Sequence, residues 1–194
     1  MRKISLLLFL LPFLLSAQKL EYKLLIHGDE VGNLIAEHLH TKFHDIYEVR
    51  SQGSVKILFT ISSRYYSFSK LRNNELLYSK SILYKNEHLS DTVVVKKIKS
   101  KYYSETGMKT HKTQIIGNIT YVANMLYFKE PVGVKKVFSE KKGYFVDLVA
   151  KPDHKYLLID SKMNTENTYI YKNGKLVKAI LYGGIVNFEL ELKP

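Results

Sequence analysis

Three histidines, His38, His40 and His44, stand in the pattern H-x-H-x3-H. On a strand, positions 38 and 40 point to one face, and two imidazoles at that spacing can hold zinc through their ring nitrogens. His44 lies beyond an expected turn, so it becomes a third candidate metal ligand only if the chain folds back. The competing reading is a wet strand face that carries titratable rings, and patterns of this kind arise readily by chance. Paired carboxylates for glycoside cleavage can be drawn from Glu37, Glu48 and Glu140, whose separation the sequence leaves open. Other chemistries lack their residues. There is no cysteine for thiol catalysis or thiolate metal binding, no G-x-S-x-G elbow, no H-E-x-x-H helix and no P-loop. The glycines at Gly28 and Gly32 have the wrong spacing for a dinucleotide fingerprint. No catalytic residue and no cofactor is assigned.

A different kind of site is suggested by residues 126–143, LYFKEPVGVKKVFSEKKG. Tyr127, Phe128, Val134 and Phe138 supply apolar surface beside Lys129 and Glu130, as the lining of an apolar-ligand site under a flap would. Equally, these side chains plug the open side of a sheet and bind nothing, since apolar residues in a β protein are core by default.

The elements that must position these residues are mainly strands. Val186, Phe188, Leu190 and Leu192 alternate with polar neighbours, as do Leu20, Tyr22, Leu24 and Ile26, and Tyr144, Val146 and Leu148. Fifteen tyrosines suit such strands, because the ring packs while the hydroxyl finds a polar partner. Asn173-Gly174 is the strongest turn signal, and residues 28–32, 52–54, 73–74, 86–87 and 152–153 are other expected breaks. One segment changes period. Ile119, Val122, Ala123, Leu126 and Tyr127 form a helical stripe, Asn118 is placed to cap it and Pro131 to end it. The expectation is a mainly β, single-domain fold over residues 18–194. It is an antiparallel meander of about ten strands forming a curved sheet or incomplete barrel, with one short covering helix near 118–128.

The first seventeen residues, MRKISLLLFLLPFLLSA, have a basic head, an apolar run broken by Pro12 and small residues at the end. That is the layout of a cleaved secretory signal peptide, and the run is too short for a bilayer span. Removing it takes the net charge from +12 to +10, since only Arg2 and Lys3 leave. An exported chain without cysteine must be held by its core rather than by disulfides. Its basic balance favours anionic head groups or an acidic envelope partner. Nucleic acid is not expected, because the lysines come in scattered pairs without a recognition helix or aromatic RNA-binding motif.

LYFKEP, VFSE and the pair Gly143-Tyr144 resemble a family of secreted bacterial proteins known only as a domain of unknown function. The hairpin with Gly28 and Gly32, ILFTI at 57–61 and NTYIYKNGKL at 167–176 fit the same resemblance. More distantly, the layout is similar to carriers that shuttle lipoproteins across the periplasm. The resemblance implies a curved sheet and export to the periplasm or outer envelope of a Gram-negative bacterium, and it supplies no catalytic residues. Two functions follow as expectations: a carrier or binder of a lipid or other apolar ligand, and a surface module that grips an acidic partner or a membrane. A metal-dependent enzyme through the histidines is the third.

Overall fold

A computed structural model of the chain describes residues 16–56, 60–107, 111–184 and 186–194. The expected leader, apart from Ser16 and Ala17, lies outside them, as do Ile57, Leu58 and Phe59 of ILFTI.

The first half is a run of hairpins: β1 (Ser16–Ile26), β2 (Asp29–His40), β3 (Asp45–Lys56), β4 (Thr60–Arg72), β5 (Glu75–Lys85), β6 (His88–Ile98), β7 (Lys101–Thr106) and β8 (His111–Ile115). The second half repeats the plan with β9 (Lys136–Ser139), β10 (Tyr144–Lys151), β11 (Lys155–Asp160), β12 (Thr165–Lys172), β13 (Lys175–Tyr182) and β14 (Asn187–Leu192). β1 pairs with β14, which joins the halves into one fourteen-stranded antiparallel sheet with β8 and β9 at its edges. Asn73-Asn74 and Asn173-Gly174 close hairpins with positive φ at both central residues, as the sequence signals require. Alternate turns share an end of the molecule. At the entry end, where Ser16 begins β1 opposite His40, lie turns 41–44, 73–74, 99–100, 152–154 and 173–174. Turns 27–28, 86–87, 140–143 and 161–164 lie at the opposite end.

The sheet has fourteen strands rather than about ten. Part of the shortfall comes from glycines inside strands. Gly32 and Gly53 belong to β2 and β3, where they face each other across the ladder instead of making turns. A Cβ on Gly32 would sit 2.0 Å from the Gln52 carbonyl oxygen, and one on Gly53 would meet Leu24 at 2.7 Å. These glycines permit close approach at a bend, a second reason for glycine in a strand. Bulges after Leu24, Lys70, Leu83 and Ile170 also shift the alternation of faces close to the hairpin turns. In addition, the inner faces of β4 and β5 carry serines (Ser67, Ser69, Ser79, Ser81), which hides their apolar side.

The covering helix is absent. Residues 116–135 connect the two edge strands, and their regular structure is a single 3-10 turn, Ala123–Tyr127. Before it the chain is extended. Leu76 donates its amide to the Ile119 carbonyl, Phe138 donates to the Tyr121 carbonyl, and Val122 bridges Phe138 in parallel. β-branched Ile119, Thr120 and Val122 favour this extended path, and sheet edges supply the backbone partners a helix would have found internally. The stripe residues Ile119, Val122 and Leu126 are nevertheless fully buried.

Two apolar clusters fill the concave side. One gathers Tyr22, Leu34, Val49, Leu126, Val137, Tyr156, Tyr171 and Leu190; the other gathers Tyr47, Leu71, Leu76, Val95, Tyr102, Ile115, Ile119 and Phe138. Phe138 of edge strand β9 thus packs with residues of β5, β7 and β8, so the two ends of the sheet curl toward each other. Among the described residues they do not pair.

Candidate functional site

The connecting segment dips from the entry end into the interior and returns. Tyrosine hydroxyls fasten it. Tyr171 Oη donates to the Leu126 carbonyl at 2.6 Å, and Tyr22 Oη is shared between the Tyr127 and Leu176 carbonyls at 3.2 and 3.3 Å. Tyr121 Oη donates to the Lys129 carbonyl. On the return, Glu130 accepts from Tyr156 Oη at 2.8 Å and pairs with His154 at 2.9 Å, and these contacts hold its carboxyl below the usual carboxylate range. The tyrosines therefore pair polar backbone that neither helix nor ladder satisfies.

At its deepest point the segment meets Glu140, on the turn between β9 and β10. One carboxylate oxygen accepts from Ser69 Oγ at 2.8 Å and from the Asn124 amide at 3.1 Å; the other accepts from the Ala123 amide at 3.0 Å. The Glu140 carbonyl accepts from Ser81 Oγ, and the Asn124 side chain donates to Ser67 Oγ at 2.9 Å. Glu140 thus caps the 3-10 turn from across the molecule, where the turn's own leading residue, Val122, offers no side-chain cap. Burial pushes its carboxyl above the ordinary value, against the hydrogen bonds that favour the charged form. Beside it Gly143, at φ +72°, has no room for a Cβ: Ser104 Oγ would lie 2.3 Å away. Ser79 Oγ, Tyr102 Oη and Ser104 Oγ are buried without a hydrogen-bond partner.

Each residue singled out in the sequence now has a place. Tyr127 is half-buried, edge-on to Tyr22 at 5.8 Å. Phe128 is half-buried and tilted against both His38 and Tyr47, at ring distances of 5.6 and 5.7 Å. Val134 lies at the rim of the first cluster, and Phe138 is fully buried and edge-on to Phe145. These four therefore do not share one cavity. A cleft of about 350 Å³ opens on the outward face beside Arg50, Arg64, Tyr66 and Tyr84, and another of about 630 Å³ opens beside Val134, Asp147 and Leu148. Neither lies between residues 119–128 and the sheet.

His38 and His40 do come together, both on Asp45, at 3.0 and 2.8 Å. Burial acts to raise the Asp45 carboxyl, but the two imidazole contacts outweigh it and hold it below its usual range. His38 also stacks on Tyr47, with ring centroids 4.2 Å apart. His44 points instead to Arg72, at 3.1 Å. Among the described residues no group of three His, Asp or Glu side chains is arranged to hold a metal. The carboxylates separate as well. Glu37 and Glu48 are cross-strand neighbours on the outward face, both on Arg50, whereas Glu140 is buried on the concave side.

The Glu140 latch is the functional-looking group that the sequence pattern concealed. Its signal was present in two S-x-S triplets, Ser67-Phe68-Ser69 and Ser79-Lys80-Ser81, which put hydroxyls on one face of adjacent strands. Nothing in the sequence paired them with a glutamate about seventy positions away.

No curated protein matches the sequence. Among solved structures, the chain resembles a beta-barrel-like protein of the domain of unknown function DUF1849 from Brucella abortus. The TM-score is 0.62 at 12% identity, over 92% of this chain and 96% of that one, a likeness of fold alone. The profile of another family matches residues 22–193, nearly all of the described sheet. By that match the chain belongs to the family described as domain of unknown function DUF6134.

Proposed function

We propose that the protein is an exported, non-enzymatic component of a Gram-negative envelope that works through its surface, against an acidic partner or a membrane. The supporting observation is how the concave side is occupied. Ile119, Val122, Leu126 and Phe138 are fully buried there, and the two clefts open elsewhere. Function then falls to a surface rich in lysine. That surface does not match a lipid-spanning barrel, because outward positions carry Lys19, Glu21 and Lys23 on β1 and Glu48 and Arg50 on β3. No helix among the described residues is long and apolar enough to cross a membrane.

The non-enzymatic part of the reading rests on the separated carboxylates and on the histidines being taken up by Asp45 and Arg72. Export rests on the leader, whose expected cut after Ala17 falls two residues into β1. Expression of the full chain in a Gram-negative host, with fractionation and N-terminal sequencing, tests this. A mature protein starting at Gln18 outside the cytoplasm is expected, and a cytoplasmic chain starting at Met1 overturns it. Cross-linking in intact cells tests the surface role, and capture of neither a partner nor lipid counts against it.

A second reading, a carrier of an apolar ligand, is favoured by how the connecting segment is held. Side-chain hydrogen bonds rather than a helix or a full ladder keep it in place, so the segment could lift as a flap and cover an apolar ligand with Tyr127, Phe128 and Val134, against Phe138 of β9. Protein purified from envelope fractions and weighed intact should then carry extractable lipid. Protein that is empty in every preparation sinks this reading.

A further inference from the structure

Cations and exposed apolar side chains are distributed unevenly between the two ends of the molecule. At the entry end, Lys42 stands on turn 41–44, Lys99 lies in turn 99–100 and Lys101 follows it, and Lys172 and Lys175 flank turn 173–174. Lys129 leaves the connecting segment at the same end. All six are exposed, and none has a carboxylate partner among the described residues. Most acids there are engaged, Asp45 by His38 and His40, Glu75 by Lys97, and Glu130 by His154, while Asp153 on turn 152–154 is exposed beside Lys151 and Lys155. The opposite end is mixed: Lys56, Lys85, Lys141 and Lys162 are exposed there, but beside Asp29, Glu30, Glu87 and Glu166 and an internal Lys142–Asp160 pair.

Apolar side chains project from the same basic rim. Phe43 is 64% exposed, Ile98 47%, Ile116 88% and Val132 77%. Pairing of Ile98 with Lys101, and of Tyr102 with Ile115, sets Ile98 and Ile116 on either side of Lys101. Phe43 follows Lys42 directly. The opposite end also exposes Leu89, Met163 and Tyr182, but beside fewer unpaired cations and more acids than the entry end.

We propose that the entry end is a docking surface for an anionic lipid bilayer, with Phe43, Ile98, Ile116 and Val132 entering the headgroup layer between lysines that contact lipid phosphates. This inference rests on the surface-acting reading above and names its partner. Apolar side chains spread over the rim, with lysines beside them, suit a headgroup layer that closes around every tip. A protein partner would instead call for a contiguous apolar patch with a polar rim. The course of the chain agrees. Ser16 begins β1 at this end, so the apolar leader joins the folded domain at the rim and, until it is removed, holds that rim toward the membrane it was inserted in.

The test is flotation of the chain starting at Gln18 with phosphatidylcholine vesicles, with and without phosphatidylglycerol, at low and high salt. Binding is expected only with phosphatidylglycerol and should weaken with salt. Phe43→Ser with Ile116→Ser, and separately Lys99→Gln with Lys101→Gln, should each reduce binding roughly tenfold or more. Lys162→Gln with Met163→Ser, at the opposite end, should leave it unchanged. All these positions are exposed, and circular dichroism checks that each variant folds. Failure of the parent chain to float with anionic vesicles overturns the proposal, as does equal binding to neutral vesicles. An opposite-end pair that costs as much as the rim pairs also overturns it. An acidic protein cross-linked in cells, with no vesicle binding, would overturn the bilayer as partner and leave the surface-acting reading standing; neither capture nor vesicle binding would remove both.

Discussion

Glu140 is the residue whose loss should be felt most. Glu140→Ala strips acceptors from the Ala123 and Asn124 amides and from Ser69, leaving buried donors unpaired, and should cost about 3 kcal/mol in denaturant unfolding. Glu140→Gln, which keeps one acceptor oxygen, should cost less. The pH dependence has a definite sign. Because burial raises the folded-state pKa above the ordinary 4.5, the folded chain holds this proton more tightly than the unfolded one. The contribution is therefore fully present below about 4.5 and is lost as pH rises through the raised value. Subtracting the stability profile of Glu140→Gln from that of the parent should isolate this downward slope, and a flat difference would refute it. Tyr171→Phe removes a single buried hydrogen bond to the Leu126 carbonyl and should cost about 1–2 kcal/mol, read from the unfolding midpoint.

At the scale of elements, the bend between β2 and β3 and the connecting segment carry the fold's specific demands. Gly32→Ala drives a methyl into the backbone carbonyl of Gln52, which cannot move without shifting a strand, and should destabilise by roughly 3 kcal/mol. Gly53→Ala meets chiefly the movable end of the Leu24 side chain, with the Val31 carbonyl oxygen at 3.3 Å, and should cost less, roughly 1 kcal/mol. The ranking, measured by thermal or chemical unfolding, checks that close approach rather than turn geometry selects these glycines. In sequence both looked like turns, because glycine carries one letter for two physical needs. The two-residue turns at 73–74 and 173–174 were legible, since positive φ at successive positions leaves few residue choices. The stripe at 119–127 was legible as buried but not as a 3-10 turn, because apolar spacing records which side chains leave water, not the backbone path that takes them there.

On the scale of the whole molecule, the two apolar clusters belong to one structure. β1 pairs with β14, Phe138 of the second half sits in the cluster formed mainly by the first, and the connecting segment contributes to both. The chain should therefore unfold in a single calorimetric transition, and two resolved transitions would contradict this coupling. Export and a partner-binding surface are proposals, drawn from the leader and the charge balance.

By itself, the sequence settled the local matters: strands with one wet face, hairpin turns set by asparagine and glycine, and the lack of cysteine. Each is decided within a few neighbouring residues by sterics and by alternation of apolar and polar side chains. The tertiary structure decided the rest. It joined the first strand to the last, drew Ile119, Val122 and Leu126 inside the curled sheet, placed Glu140 under a turn that lacks its own cap and gathered more unpaired lysines at one end than at the other. Those outcomes depend on pairings between residues far apart in the chain, and no local pattern encodes them.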